Sequence, residues 1–314
     1  MPTSLLAPSS SLTRVGIDKI IKIDMDKQVR YASRYVNISP MSPRQRFEKR
    51  FGLQYQGLPV VKPENQTNAA DVIKVVGERD YQPITYGLRF DVSGESQRAD
   101  IYGVLAADVQ KREIGKNFVR LENYEFCNVL NNQTSTTVGT RSYAGVDGVG
   151  LVSHLHPLAD GAFFSNRGDG TSDIAFNQFN LETGIQRLMQ QVNYNGDPDV
   201  YEGPYTLWVP AGMLLRAQRV VGSDKLQGTA DNDVNASKAY INGVVTFGPY
   251  LTSTTAWGFI PSNKSESNIF GLEFMPVTSF VEDDGMAWTK RCNTIRTFGI
   301  YFDSWQKHYG TAGA

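Results

Sequence analysis

Cysteine is nearly absent. The chain of 314 residues has two, Cys127 and Cys292, and neither belongs to a Cys-x-x-Cys pair. That argues against a disulfide framework or a thiolate zinc motif. It predicts a reduced, intracellular protein whose thiols are small buried side chains. Long apolar runs are also missing, since no window approaches the roughly 18 apolar residues that span a bilayer. The opening stretch from Met1 to Arg14 has only Leu5-Leu6 as an apolar core, which predicts no secretory leader. The expectation is a protein without a membrane role, made and kept in a cytoplasm or in something assembled there. Net charge is small as well, at -1, so nothing global points to nucleic acid or to an acidic partner.

The residues present, 40% hydrophobic and 11% aromatic, suffice for one large core or two ordinary ones. Charge is unevenly placed. Residues 1–50 carry ten basic side chains against four acidic ones, about +6, which leaves about -7 for the rest. Residues 1–16 read as loose, 17–36 as mixed, and 38–50 as an extended, proline-containing stretch with one short helix. The segment is either a solvated tail or an arm. As an arm it predicts that removing residues 1–36 leaves a folded subunit.

Residues 58–92 read as β structure, with Val72–Val76 as one strand, Gly77–Asp80 as turn chemistry and Ile84–Val92 as the next strand. Residues 100–131 are the strongest helix candidate. Leu105, Val109, Ile114, Phe118, Leu121, Phe126 and Val129 fall near helical spacing. Lys111, Arg112, Glu113, Lys116, Arg120, Glu122 and Glu125 are assigned to the outward face. Residues 133–180 read as a long loop region. A helix follows over 177–192, then a strand at 205–209 leading through Pro210 into another helix. Strands are read at 244–247, 256–260, 272–275 and 294–302. The pattern is α+β with large excursions that have little core of their own.

Chemistry is sparse. His154 and His156, at i and i+2, could face one way on a strand and bind a metal, with Asp147 or Asp160 as a third ligand. The alternative is two hydrogen-bonded loop histidines. His308 stands alone near the end. There is no Gly-x-Ser-x-Gly elbow, P-loop or dinucleotide fingerprint. Gly145–Gly150 reads as a flexible loop. Asp169–Asp173 resembles a fragment of a calcium loop without its distant glutamate, and Glu282–Gly285 reads as a hairpin tip. No constellation qualifies as catalytic, cofactor-binding or metal-binding, so no cofactor is expected.

Several stretches resemble the major capsid (major head) proteins of tailed bacteriophages, particularly the Mu-like major head subunit group, a fold shared with encapsulins. Tyr86–Glu95 leading into Ile101–Leu105 resembles the family's passage from excursion loop to spine helix, and Val129–Asn132 its end. Gly203–Pro210, with Leu214, Ala217 and Val220–Ser223, resembles its strand-Val-Pro-helix segment. Pro249–Thr252 with Ala256-Trp257 resembles a core strand pair, and Arg291–Gly299 with Trp305–Gly310 the closing strands. The match runs in order over residues 52–314.

The resemblance implies a tailed-phage major capsid fold with an N-terminal arm at 1–50 and an extended β-hairpin loop at 51–90. A peripheral domain with the long spine helix takes 91–139 and 266–303. An axial domain takes 140–265 and 304–314. It further implies a non-enzymatic virion protein, assembled in the bacterial host cytoplasm. Subunits would join as hexamers and pentamers into an icosahedral head around double-stranded DNA, contacted weakly and non-specifically. Partners would be a separate scaffold, a portal and decoration proteins. The rival readings are an encapsulin-like compartment shell and a metal-dependent enzyme using His154 and His156. Lys62 and Lys74 lie where some relatives cross-link, but nothing near them in sequence activates either.

Overall fold

A computed structural model describes residues 14–54, 74–93, 103–138, 141–199, 201–225, 234–284 and 289–313. In chain order these form α1 (Arg14–Asp26), α2 (Tyr31–Tyr35), β1 (Asn37–Pro40), β2 (Glu48–Gln54), β3 (Lys74–Tyr81), β4 (Ile84–Ser93) and α3 (Gly103–Asn131). The short strands β5 (Thr137–Val138), β6 (Arg141–Ser142), β7 (His156–Pro157) and β8 (Phe163–Phe164) follow. Then come α4 (Gln178–Met189), β9 (Tyr205–Trp208), α5 (Leu214–Gly222), β10 (Ile241–Val245), β11 (Trp257–Pro261), β12 (Ile269–Asp284), β13 (Thr289–Phe302) and β14 (Tyr309–Thr311).

Two four-stranded sheets carry the fold. The first has the order β1-β12-β13-β4, with β1 parallel to β12 and the other pairs antiparallel. Its long β12–β13 hairpin is rich in β-branched and aromatic residues, which suit a pleated surface. The register slips around Met275–Thr278, where Pro276 has no N–H to give to the ladder. The second sheet runs β10-β9-β11-β14. Every residue of β9 and β11 is buried, because both faces of this sheet are covered. Leu207, Trp257 and Phe259 pack with Leu181, Ile185 and Leu188 of α4 and Ala217, Val220 and Val221 of α5. Trp208 and Ile260 turn the other way, toward Phe126, Val129 and Leu130 of α3.

α3 has 29 residues, about 43 Å of helix at 1.5 Å per residue. Ile114 and Phe118 pack beside Val277 and Cys292 of the first sheet. Further along, Phe126, Val129 and Leu130 share one core with Ile300 and Phe302 of that sheet and with the second sheet. One helix therefore seats both sheets.

The segment read as a solvated tail or an extended arm is packed on the body from α1 to β1, while residues 1–13 of the stretch read as loose lie outside the described residues. Ile21 and Met25 of α1 are buried against Ile114, Phe118 and Val119. α1 crosses α3 at Gly115, where an added Cβ would lie 2.8 Å from the Ile21 carbonyl oxygen. Ala32, Tyr35 and Val36 enter the main core, and the Tyr35 ring stacks on Phe126 at 6.0 Å between centroids. β1 then adds an edge strand to β12. The basic composition concealed a few well-placed apolar residues, enough to hold the segment down.

Gly77–Asp80, expected to be a turn, lies inside β3, and the chain turns at Gln82-Pro83 instead. Gly77 faces Gly52 across the β2–β3 pair. A Cβ on Gly77 would fall 2.1 Å from the Val146 carbonyl oxygen, and one on Gly52 2.8 Å from Val146 Cγ2. The glycines are there for close approach, not for turning. For the same reason the Gly145–Gly150 segment is not a flexible loop. Val146 is buried, its N–H donates to the Asp303 carbonyl at 3.0 Å, and Gly145 N–H donates to Val149 O at 2.8 Å.

Removing residues 1–36 strips Ile21, Met25, Ala32, Tyr35 and Val36 from the core. Burial of each large apolar side chain is worth roughly 1.5–3 kcal/mol, against a total stability of about 5–15 kcal/mol for a domain. The truncated chain is expected to lose its cooperative urea transition or unfold at markedly lower urea. A wild-type midpoint for the truncation would show that the segment is an appendage.

Candidate functional site

The histidine pair does not converge. His156 is buried on β7, and both its ring nitrogens are engaged: Nδ1 lies 2.8 Å from Asp147 Oδ2, and Nε2 lies 3.0 Å from Asn166 Oδ1. The Asn166 amide is held by three carbonyls, of Leu151, Trp305 and His308, which leaves its oxygen toward His156. Trp305 stacks on the imidazole at 4.8 Å. His154 is half-buried and pairs with Ser165 Oγ at 3.2 Å. Asp160 accepts from the Ala162 N–H at the β7–β8 turn. The pair thus belongs to two separate hydrogen-bond arrangements, and neither His156 nitrogen is left for a ligand.

The other candidates also have structural partners. Asp169 accepts from Thr171 N, Thr171 Oγ1 and Ser172 N, bonds that hold its carboxyl below the usual range. Asp173 is pulled down to about 2, chiefly by the Arg167 guanidinium, with Ala312 N–H and Thr311 adding to it. Burial raises both thiols, Cys127 and Cys292, away from reactive thiolate chemistry. Among the described residues no three His, Cys, Asp or Glu side chains group as a metal site, and no helix is long and apolar enough to cross a membrane.

What does converge is a set of charges on α3 that sequence periodicity assigned to the outward face. Lys111, Glu122 and Glu125 are buried. Glu122 accepts from Arg30 Nε at 3.2 Å and Nη2 at 2.8 Å, and from Arg296 Nη1 at 2.8 Å. Arg296 Nε donates in turn to Glu273 Oε1 at 2.8 Å, and its guanidinium lies 4.2 Å over the Phe298 ring. Burial works against the Arg30 charge, but Glu122, with Asp26 and Glu273 behind it, outweighs this and raises the group. The next residue, Asn123, accepts from Tyr31 N–H at 2.8 Å and donates to Val29 O at 2.9 Å. Glu125 accepts from Tyr86 Oη on β4 at 2.9 Å and from Arg141 on β6. Burial, then Glu125, pushes the Tyr86 hydroxyl up. The helix side expected to be polar and solvated is where arm, sheet and loop are clamped together.

A second clamp holds the β2–β3 hairpin by its base. Arg50 Nη1 donates to Asp303 Oδ2 at 2.7 Å, its Nε to Glu48 at 2.8 Å, and its guanidinium covers Phe270 at 3.4 Å. Among the described residues β2 and β3 pair with each other and with no other strand, and Phe51 and Val75 are about half exposed. Both clamps can hold elements in fixed relation. Neither presents a nucleophile, an acid–base pair facing a cleft, or a metal cradle.

The family model for phage capsid proteins matches residues 76–305. The chain belongs to the phage capsid protein family. No curated protein matches the sequence. Among solved structures, the bacteriophage PhiM1 mature capsid is similar at 8% identity, with 90% of this chain and 86% of that one covered and a TM-score of 0.56. Mycobacterium phage Patience is similar at 10% identity, covering 94% and 85%, with a TM-score of 0.55. The capsid of Ralstonia phage GP4 follows at 10% identity, 91% of each chain and 0.51. At such identity the likeness is one of fold: the two sheets and the long α3 form the tailed-phage major capsid fold. As a member of that family the chain is a structural major capsid protein that builds icosahedral shells.

One buried group of this capsid subunit gives it a pH dependence. His308 is fully enclosed, and burial, with Lys307 adding to it, holds the imidazole down to about 3. The unfolded chain takes up that proton near pH 6.5, whereas the folded one does not. Stability is therefore complete above about 6.5 and declines as pH falls toward 3. Urea midpoints measured between pH 7 and 5 are expected to fall more steeply for the wild type than for His308→Leu. Equal slopes would refute the assignment.

Proposed function

We infer that this subunit joins copies of itself into hexamers and pentamers that close into an icosahedral phage head around double-stranded DNA. Its work is assembly, and no catalytic step takes part. The observation that carries the reading is the family match over residues 76–305, together with a β2–β3 pair that stands apart from both four-stranded sheets. In this layout residues 1–50 are the arm, packed along the body from α1 to β1, and 51–90 the extended loop, which returns to the first sheet through β4; 91–139 and 266–303 are the peripheral domain, and 140–265 and 304–314 the axial domain. Residues 55–73, Lys62 among them, lie outside the described residues.

Exposed apolar side chains support intersubunit use of the hairpin. Phe51 on β2 and Val75 on β3 are about half exposed, and an apolar surface left exposed on one copy suits burial against the next. A separate scaffold, a portal and decoration proteins are the partners this function calls for. The Mu-like group is the branch that the order of sequence motifs favours. Assembly would occur in the host cytoplasm and the product would be the virion.

Negative-stain microscopy of the expressed full chain, alone and with its scaffold, is expected to show capsomers or shells enclosing no enzyme cargo. Phe51→Asp with Val75→Asp should leave a folded subunit and abolish shells. Dispersed single subunits from the wild-type chain under both conditions would contradict the function. Uniform shells from the double variant would contradict the hairpin's part in it.

A further inference from the structure

Where β3 turns into β4, a cleft of about 520 Å³ is lined by Arg79, Asp80, Thr85, Arg141, Ser142 and Tyr301. Its hydroxyls are already engaged. Thr85 Oγ1 lies 2.9 Å from Thr297 Oγ1, Ser142 Oγ donates to Thr136 O at 3.2 Å, and Tyr301 Oη donates to Gln82 O. Asp80 lies 3.8 Å from Lys49 Nζ. The two arginines are less well served. Arg79 donates to Ser142 Oγ, a neutral acceptor, and has no carboxylate partner among the described residues. Arg141 is 13% exposed, flanked by the Tyr143 and Tyr301 rings at 5.3 Å, and gives Nη1 to Glu125. Its Nε and Nη2 are buried and make no hydrogen bond.

Nε and Nη2 form the guanidinium edge whose parallel N–H bonds match the two oxygens of a carboxylate. This chain uses that edge repeatedly. Arg30 on Glu122, Arg89 on Asp91 and Arg167 on Asp173 each donate through Nε and Nη2. On Arg141 the same edge is shielded from water and empty, a state that costs free energy until an acceptor arrives. One carboxylate would fill it and give Arg79 a counter-charge. Glu125 already balances Arg141, so the cleft has room for a single further negative charge, which suits a carboxylate better than a phosphate dianion. Further copies of the chain surround each subunit in a shell, and beyond residue 50 each copy is acidic, at about -7 for an overall -1. We propose that the Arg79–Arg141 cleft seats an acidic side chain of a neighbouring copy, held side-on by Arg141 Nε and Nη2 with Arg79 as its counter-charge. This rests on the shell function above and adds a specific ionic contact between copies.

Shells test where the carboxylate comes from. Unlabelled Arg79→Lys subunits are co-assembled with an excess of heavy-nitrogen wild-type subunits and treated with a carbodiimide. The reagent takes up water as it joins an amine and a carboxylate in contact into an amide, so the new amine at position 79 records its neighbour. Mass spectrometry is expected to find the light peptide containing position 79 joined to a heavy peptide through Asp or Glu. No link at that position, or only links within the light chain, would overturn the proposal. Free full-length subunits test the seat itself. Replacing chloride by acetate at constant ionic strength should raise the urea midpoint of the wild type and of a distant control, Arg216→Gln, more than that of Arg79→Gln or Arg141→Lys. Arg141→Lys keeps a charge for Glu125 and removes the fork; if it fails to fold, Arg79→Gln carries the comparison. Equal rises in wild type, control and cleft variants would also overturn the proposal. A wild-type chain that forms no shells counts against the shell function alone, because the acetate response is read on free subunits.

Discussion

The fold depends on one buried carboxylate. Glu122 sits on α3 with no solvent exposure and accepts hydrogen bonds from Arg30 and Arg296, one N-terminal to the sheets and one inside β13. Removing a carboxylate from water is expensive, and the cost is recovered only when geometry is good and every remaining valence is met. Here the conditions are met by a bidentate Arg30 and by an Arg296 that continues to Glu273. The consequence is directional. An apolar contact would let α1 and the first sheet slide along α3, whereas this fork fixes one register. Asn123 adds backbone bonds to the same linker, so the chain between α1 and α2 is held at Val29, Arg30 and Tyr31.

From that fixed frame the rest of the subunit follows. α3 seats both sheets, Glu125 ties in β4 and β6, and the Val146 segment closes on the paired glycines of β2 and β3. The described parts of β2 and β3 are therefore held in fixed relation to the body. A capsid subunit needs this fixity, because many modest contacts between copies must act on a shape that does not deform. The titratable groups that burial perturbs most, Cys127, Tyr86 and His308 among them, serve packing.

Much of this was legible in the sequence, and the exceptions share a cause. α3, α4, β9, α5 and β13 were readable because their apolar periodicity is local and survives in a single sequence. Glu122 and Glu125 were misassigned because charge usually means solvent. Their helical positions, four after Phe118 and four after Leu121, were the available signal. The partners that allow burial lie 92 and 174 residues away, and one sequence does not reveal such pairings. Gly77 was read as a turn because a glycine needed for close approach looks the same as one needed for a left-handed bend. Residues 17–50 were read as mixed and then as a tail or arm because the basic count outweighed Ile21, Met25, Tyr35 and Val36. Of the histidine pair, the residues were visible, but the Asp147 and Asn166 partners that occupy His156 were legible only in part.

The claim that Glu122 locks the N-terminal segment to the body before assembly is tested most directly by hydrogen–deuterium exchange on unassembled full-length subunits. In the wild type, amides of α1 and α2 should be protected comparably with those of α3 between Phe118 and Leu130. In Glu122→Gln, protection should fall first and furthest in α1 and α2. Rapid exchange of α1 and α2 in the wild type, or protection there that survives the substitution, would contradict the account.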